Sequence, residues 1–146
     1  HRVHHADREV DVSTALRFHP VEMILSMIYK IAIVAALGAH PVAVVLFEIV
    51  LNGCAMFNHA NLKITPRADR LLRTILVTPA MRRIHHSERL EETNANFGFS
   101  LSLWDRMFGT YRVEPALPLV VGLAEFRDER PHELFWSLAL PFRSRG

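Results

Sequence analysis

Two long apolar runs dominate the chain. From Val21 to Leu37 only Glu22, Ser26 and Lys30 interrupt hydrophobic or small residues, and from Val42 to Phe57 the breaks are Glu48 and Asn52. Both runs are apolar around the whole helical circumference instead of along one stripe, the pattern of a helix surrounded by apolar material. Gly38-Ala39-His40-Pro41 separates them as a tight turn, and Pro20 suits the first turn of the first helix. At about 1.5 Å per residue each run reaches roughly 25 Å, against a hydrocarbon thickness of roughly 30 Å. The expected element is a transmembrane or re-entrant helical hairpin over about residues 21–57, with the core of a soluble hairpin as the competing reading. Folding it about its turn puts residue 30 opposite residue 49. Lys30 and Glu48 should therefore pair, because either charge alone is costly in hydrocarbon.

Outside the hairpin the pattern is shorter-ranged. Residues 58–93 read as polar-flanked helix, with charges set against Leu71, Leu72, Ile75 and Leu76 between Arg67 and Leu76, and a new start near Pro79. Asn94 to Gly98 reads as a loop, Leu101 to Phe108 as a short helix closed by Gly109, and Pro115 and Pro118 mark an irregular stretch. A last helix is expected from about Pro131 to Leu140, where Trp136 and the flanking Arg127, Arg130 and Arg143 suit an interfacial position.

Charge orients the hairpin. Arg2, Arg8 and Arg17 precede it, Lys63, Arg67, Arg70 and Arg73 follow it, and the turn carries no Lys or Arg. By the positive-inside tendency both flanks are cytosolic. The fold class expected is all-α: a membrane-embedded helical bundle fragment whose histidine-bearing helices lie in the cytosol. Scattered arginines without an aromatic-interleaved basic stripe argue against nucleic acid and for anionic headgroups. The single Cys54 excludes an intramolecular disulfide and reads as a buried thiol in a reducing environment. The chain starts at His1 without a signal-peptide pattern, which leads us to expect a missing upstream part.

The chemistry lies in the histidines. His1-Arg2-Val3-His4-His5-Ala6-Asp7-Arg8 and Arg82-Arg83-Ile84-His85-His86-Ser87-Glu88-Arg89 agree in kind at nearly every position. Helical spacing lets His1, His4 and His5 point at one place, and His85 and His86 likewise. Imidazoles clustered without cysteine suit a metal that keeps open positions for chemistry. His59 lies at the mouth of the second apolar run, on the expected side for both octets, and is the next ligand candidate. His19, beside Pro20, reads as a cap, and His40 and His132 as peripheral.

In this order the motifs resemble the fatty acid hydroxylase and sterol desaturase superfamily. His1-x-x-His4-His5 and the run from Ser13 to Pro20 are similar to its second histidine box and the helix start that follows. Phe57-Asn58-His59-Ala60-Asn61 is similar to its middle motif. Thr78-Pro79 through Ser87, Asn94-x-Asn96-Phe97-Gly98 and Trp104 to Tyr111 resemble its last box and signature, so the match covers about residues 1–111. The resemblance implies a single fatty acid hydroxylase-like domain over 1–146, truncated at its N-terminus, that oxidises a lipid C–H bond with dioxygen. It implies two non-haem iron ions, with zinc a possible substitute, held by His1, His4, His5, His59, His85 and His86. A lipid substrate, the membrane and an electron-donor protein are the implied partners. Asn61, Asn94 and Asn96 would support the site or fix loops.

Two departures accompany the match. An H-x-x-x-H box expected upstream is absent, so the isolated chain should not be fully active. Arg82 stands where the last box has its first histidine, and a guanidinium cannot ligate a metal. It is expected to swing out to a carboxylate or headgroup and leave the site one ligand short. Two alternatives remain: a degenerate, non-catalytic lipid-binding protein of the same fold, and a soluble zinc hydrolase using Asp7 or Glu88 as base.

Overall fold

The structure, a computed structural model, describes residues 1–126 and 133–142. Among them the chain is all-helical, with isolated bridges between Leu76 and Leu101 and between Ser87 and Val121 in place of any strand. The helices are α1 (Arg2–His5), α2 (Pro20–Leu37), α3 (Pro41–His59), α4 (Pro66–Leu72), α5 (Pro79–His85), α6 (Leu90–Thr93), α7 (Leu103–Phe108) and α8 (Leu134–Ala139). Short 3-10 turns occupy Val12–Leu16 and Leu140–Phe142.

The starts of α2, α3, α4 and α5 obey one local rule: a capping side chain followed by proline. His19 and His40 accept from the N–H groups of Val21 and Val42, while Thr65 and Thr78 accept from those of Ala68 and Met81. Proline loses nothing at the first helical position, where its missing N–H would have no partner anyway. The end of α2 is set by Gly38, at φ 59°, beyond which the Ala39 N–H returns to the Val34 carbonyl.

The hairpin α2–α3 matches the expected one within a residue at its turn. Its far end runs on through Asn58 and His59, so His59 is carried on the last turn of a long helix. Nothing on α2 is buried, and Ile24, Leu25, Ile28 and Tyr29 on α2 and Val45, Leu46 and Ile49 on α3 are all more than half exposed. Both helices are long and apolar enough to cross a membrane. A soluble core would cover such a surface, whereas lipid leaves it at no cost. Lys30 Nζ donates to Glu48 Oε1 at 2.8 Å, as expected, and Asn52 Nδ2 donates to the Glu48 backbone carbonyl at 2.7 Å.

The rest of the chain folds around the opposite end of α3, where Ala55, Asn58 and His59 are buried against the first 3-10 turn and α5. Val3 and Ala6, at and just beyond α1, pack with Trp136 and Leu140, and Leu123 and Phe126 close over them. Trp136 is thus not interfacial. It is 6% exposed and meets Phe126 edge-on at 4.8 Å, because α1 offers it an apolar partner. Its expected companions Arg127, Arg130 and Arg143, with Pro131 and His132, lie outside the described residues. Helix α4 stops four residues short of Leu76. Arg73 turns inward to the Val113 carbonyl, and residues 75–77 pair with the 100–102 segment instead. The same pairing delays α7 to Leu103.

Neutralising one member of the Lys30–Glu48 pair strands the other charge in the hairpin. Lys30→Met or Glu48→Gln alone should lower stability in detergent by roughly 1–3 kcal/mol. The double substitution should recover most of that, read as a coupling in a thermal double-mutant cycle.

Candidate metal centre

Three elements that are distant in sequence meet at the inner end of α3. The N-terminal box brings His1, His4 and His5, α3 brings His59, and α5 with its C-cap brings His85 and His86. All six converge, and they sort into two groups: His4, His59 and His86, all buried, and His1, His5 and His85, of which His1 is exposed. Within each group the donor atoms lie within 4.8 Å of one another. Each box therefore divides its histidines between the groups, where helical spacing alone had pointed His1, His4 and His5 at one place. The groups touch through His4–His86 and His5–His86 ring contacts with centroids 4.6 and 4.5 Å apart.

Backbone carbonyls aim the rings. His4 Nδ1 donates to the Thr14 carbonyl at 2.9 Å, His59 Nδ1 to the Ala55 carbonyl at 2.8 Å, and His85 Nδ1 to the Ala95 carbonyl at 2.9 Å. His1 Nδ1 lies 3.1 Å from a Glu22 carboxylate oxygen. A carbonyl can only accept, so Nδ1 of His4, His59 and His85 carries the proton and Nε2 presents a lone pair. This is the arrangement by which a histidine's second nitrogen orients it as a metal ligand. The consequence is sharpest in the buried group, where Nε2 of His4 and Nε2 of His59 face each other at 3.3 Å. Two lone pairs at that distance cannot hydrogen-bond and call for a cation between them. His86 Nε2 also lies 3.3 Å from His59 Nε2, and His86 Nδ1 is buried without a partner. Phe18 stacks flat on His4 at 4.5 Å and Phe97 meets His85 edge-on at 5.6 Å, shielding the rings from water.

A proton is a poor choice of cation here. Burial first, then the neighbouring imidazoles and Arg82, lower the His4 pKa from 6.5 to about 2 and that of His5 to about 3. Burial and Arg82 bring His85 down to about 4, and His86 is lowered by burial and then by His4. Neutral imidazoles with converging lone pairs fit a divalent transition metal ion. In the unfolded chain these histidines take up protons below about pH 6.5, while the folded, metal-free protein does not. Stability should therefore fall as pH drops from 7 to 5, measured by the melting temperature of metal-free protein. A flat profile would contradict the buried, neutral cluster.

Arg82 belongs to neither group, and the expected swing to water does not occur. It is 4% exposed, and its Nη2 donates to the Gly98 carbonyl at 2.7 Å. The 97–105 loop folds over it, so the side chain is covered before it can reach a headgroup. Burial draws its pKa down to about 10 against the opposing pull of Asp105, which leaves it charged at neutral pH. Asp105 Oδ2 in turn accepts from the Gly98 N–H at 2.9 Å and Oδ1 from Thr110 Oγ1 at 2.7 Å. A Cβ on Gly98 would sit 2.7 Å from both Asp105 Oδ2 and the Leu101 carbonyl. Gly98→Ala should consequently cost roughly 1–3 kcal/mol in thermal stability.

The three asparagines differ in role. Asn96, buried with φ 51°, donates to the Met81 and Arg112 carbonyls and accepts from the Arg112 N–H, fixing the loop beside the last box. Asn61 accepts from Arg83 at 2.5 Å at the surface, and Asn94 caps the end of α6. Asp7 is buried but accepts from Thr14 Oγ1 and pairs with Arg17, which commits it to holding the turn that carries the His4 partner. His19 caps α2 and reaches the Leu138 carbonyl through Nε2 at 3.1 Å. Sequence reasoning missed Phe18, Gly98, Asp105 and the carbonyls of Thr14, Ala55 and Ala95. The carbonyls leave no residue-type signal, whereas Gly98 and Asp105 lay inside segments quoted for their resemblance.

The order of boxes and the geometry they build define a class of protein: the chain belongs to the fatty acid hydroxylase family, whose model matches residues 1–110. It is 30% identical over 116 residues to ornithine lipid hydroxylase OlsE of Rhizobium tropici, covering 79% of this chain and 34% of that protein. It is 32% identical over 117 residues to alkylglycerol monooxygenase of Danio rerio and 27% over 114 residues to that of Homo sapiens, covering 78% of this chain and 24% of each relative. The chain thus spans a quarter to a third of the curated relatives it matches. No solved structure matches it.

Proposed function

We propose that this chain forms the histidine-bearing part of a membrane lipid oxygenase that inserts oxygen into, or desaturates, a lipid chain at a pair of iron ions. The observation that carries this reading is the convergence of two three-histidine groups, in one of which the buried acceptor nitrogens of His4 and His59 face each other at 3.3 Å. His4, His59 and His86 would hold one ion, and His1, His5 and His85 the other. Such a pair, when bound, supplies dioxygen activation and the oxidation of an unreactive C–H bond, chemistry that no side chain offers. The chain's own residues would orient the rings through backbone carbonyls, exclude water with Phe18 and Phe97, and carry the lipid on the apolar hairpin.

The names of the relatives favour a polar-headed lipid, an ornithine lipid or an alkylglycerol, as substrate. The basic flanks Arg2, Arg8, Arg17, Lys63, Arg67 and Arg70 support a cytosolic side for the histidines, where an electron-donor protein would dock. Arg73, buried against Val113 and Asp69, drops out of that count. Of the two bases offered to the soluble hydrolase reading, Asp7 is engaged in structure, through Thr14 and Arg17.

Iron analysis of the full-length protein in detergent tests the proposal. Two irons per chain are expected, falling to one or fewer in His59→Ala and His86→Ala, with oxidised ornithine lipid or alkylglycerol appearing only when a reductant is supplied. A folded protein without bound metal would favour the non-catalytic alternative.

A further inference from the structure

We infer that Arg82 and Asp105 trim the charge of the metal centre, a buried cation and its counter-anion joined across Gly98, and so set how tightly the histidine groups hold divalent ions. The inference rests on the two-ion reading above. Arg82 sits one helical turn before His85 and His86, in register with His1 of the first box. That position places a permanent positive charge beside six Lewis bases. Its Nη2 is tied to the Gly98 carbonyl, the Gly98 N–H is tied to Asp105, and the Arg82 Nε is buried with no hydrogen-bond partner.

A clamp between α5 and the 97–105 loop needs only a neutral donor. Retaining a full guanidinium with an unsatisfied nitrogen is expensive, and such cost in a native protein asks for a role beyond the clamp. The electrostatic role follows from position. The charge of Arg82, buried and held one helical turn before His85 and His86, opposes a divalent ion on their nitrogens. Asp105, 1% exposed, offsets it from the far side of Gly98. Arg82 is thus a positioning residue whose charge, together with its hydrogen bond, is the functional property.

The test uses the full-length protein in detergent, zinc as a redox-inert probe with chelator competition, and the variants Arg82→Met, Arg82→Lys and Asp105→Asn. All three should melt below wild type when metal-free, because each loosens the clamp. Zinc affinity should move in opposite directions: tighter by about tenfold in Arg82→Met, weaker by a similar factor in Asp105→Asn, and near wild type in Arg82→Lys. A purely structural role would weaken binding in all three, and that result would overturn the inference. Should Asp105→Asn not fold, the contrast of Met with Lys at position 82 decides alone, and Arg82→Gln replaces Arg82→Met if the latter fails. Wild-type protein that holds no zinc would instead refute the two-ion reading, and this inference with it.

Discussion

Three backbone carbonyls, those of Thr14, Ala55 and Ala95, decide which way the central imidazoles face. Each belongs to a different element: the first 3-10 turn, the end of α3, and the loop after α6. The site forms only when these elements are packed together, so the tautomers of His4 and His85 are a consequence of tertiary structure, whereas that of His59 is set within α3. Much of the polar interior exists to hold those carbonyls. Asp7 and Asp11 brace the turn that contains Thr14, and Asn96 braces the loop that contains Ala95. The continuous hydrogen-bond ladder of α3 fixes Ala55 against His59.

This architecture separates two kinds of stability. The hairpin shows little burial of its own and depends on an apolar surrounding, with Lys30, Glu48 and Asn52 forming one internal polar node. The region around the histidines is held by the opposite means. Buried polar groups such as Thr14, Asn58, Asn96, Ser102 and Asp105 outnumber large apolar ones there, and each has a named partner. A polar interior of this sort is rigid when fully paired and fragile when one member is lost. It suits a site that must keep neutral imidazoles close together and dry.

Much of this was legible in the sequence because it obeys local rules. Pro20, Pro41 and Pro79 marked helix starts, Gly38 and Gly109 marked ends, and the fold-back of two apolar runs placed Lys30 opposite Glu48. The repeated octets pointed to the histidines that meet. What the sequence withheld depends on long-range packing. Trp136 looks interfacial until α1 is seen to supply its partners, and Arg82 looks free to reach water until the 97–105 loop covers it. The division of each box between two groups was hidden for the same reason, since helical spacing shows which residues share a face and not which neighbour each will meet.

The central claim is that two sets of three imidazole lone pairs are arranged to receive two ions. X-ray absorption at the metal edge of the loaded full-length protein tests it most directly. The account predicts two ions per chain, each with imidazole scattering from three histidines of this chain, and loss of that signal from one ion alone in His59→Ala. A single ion, or a coordination sphere made of oxygen ligands without imidazole, would contradict it.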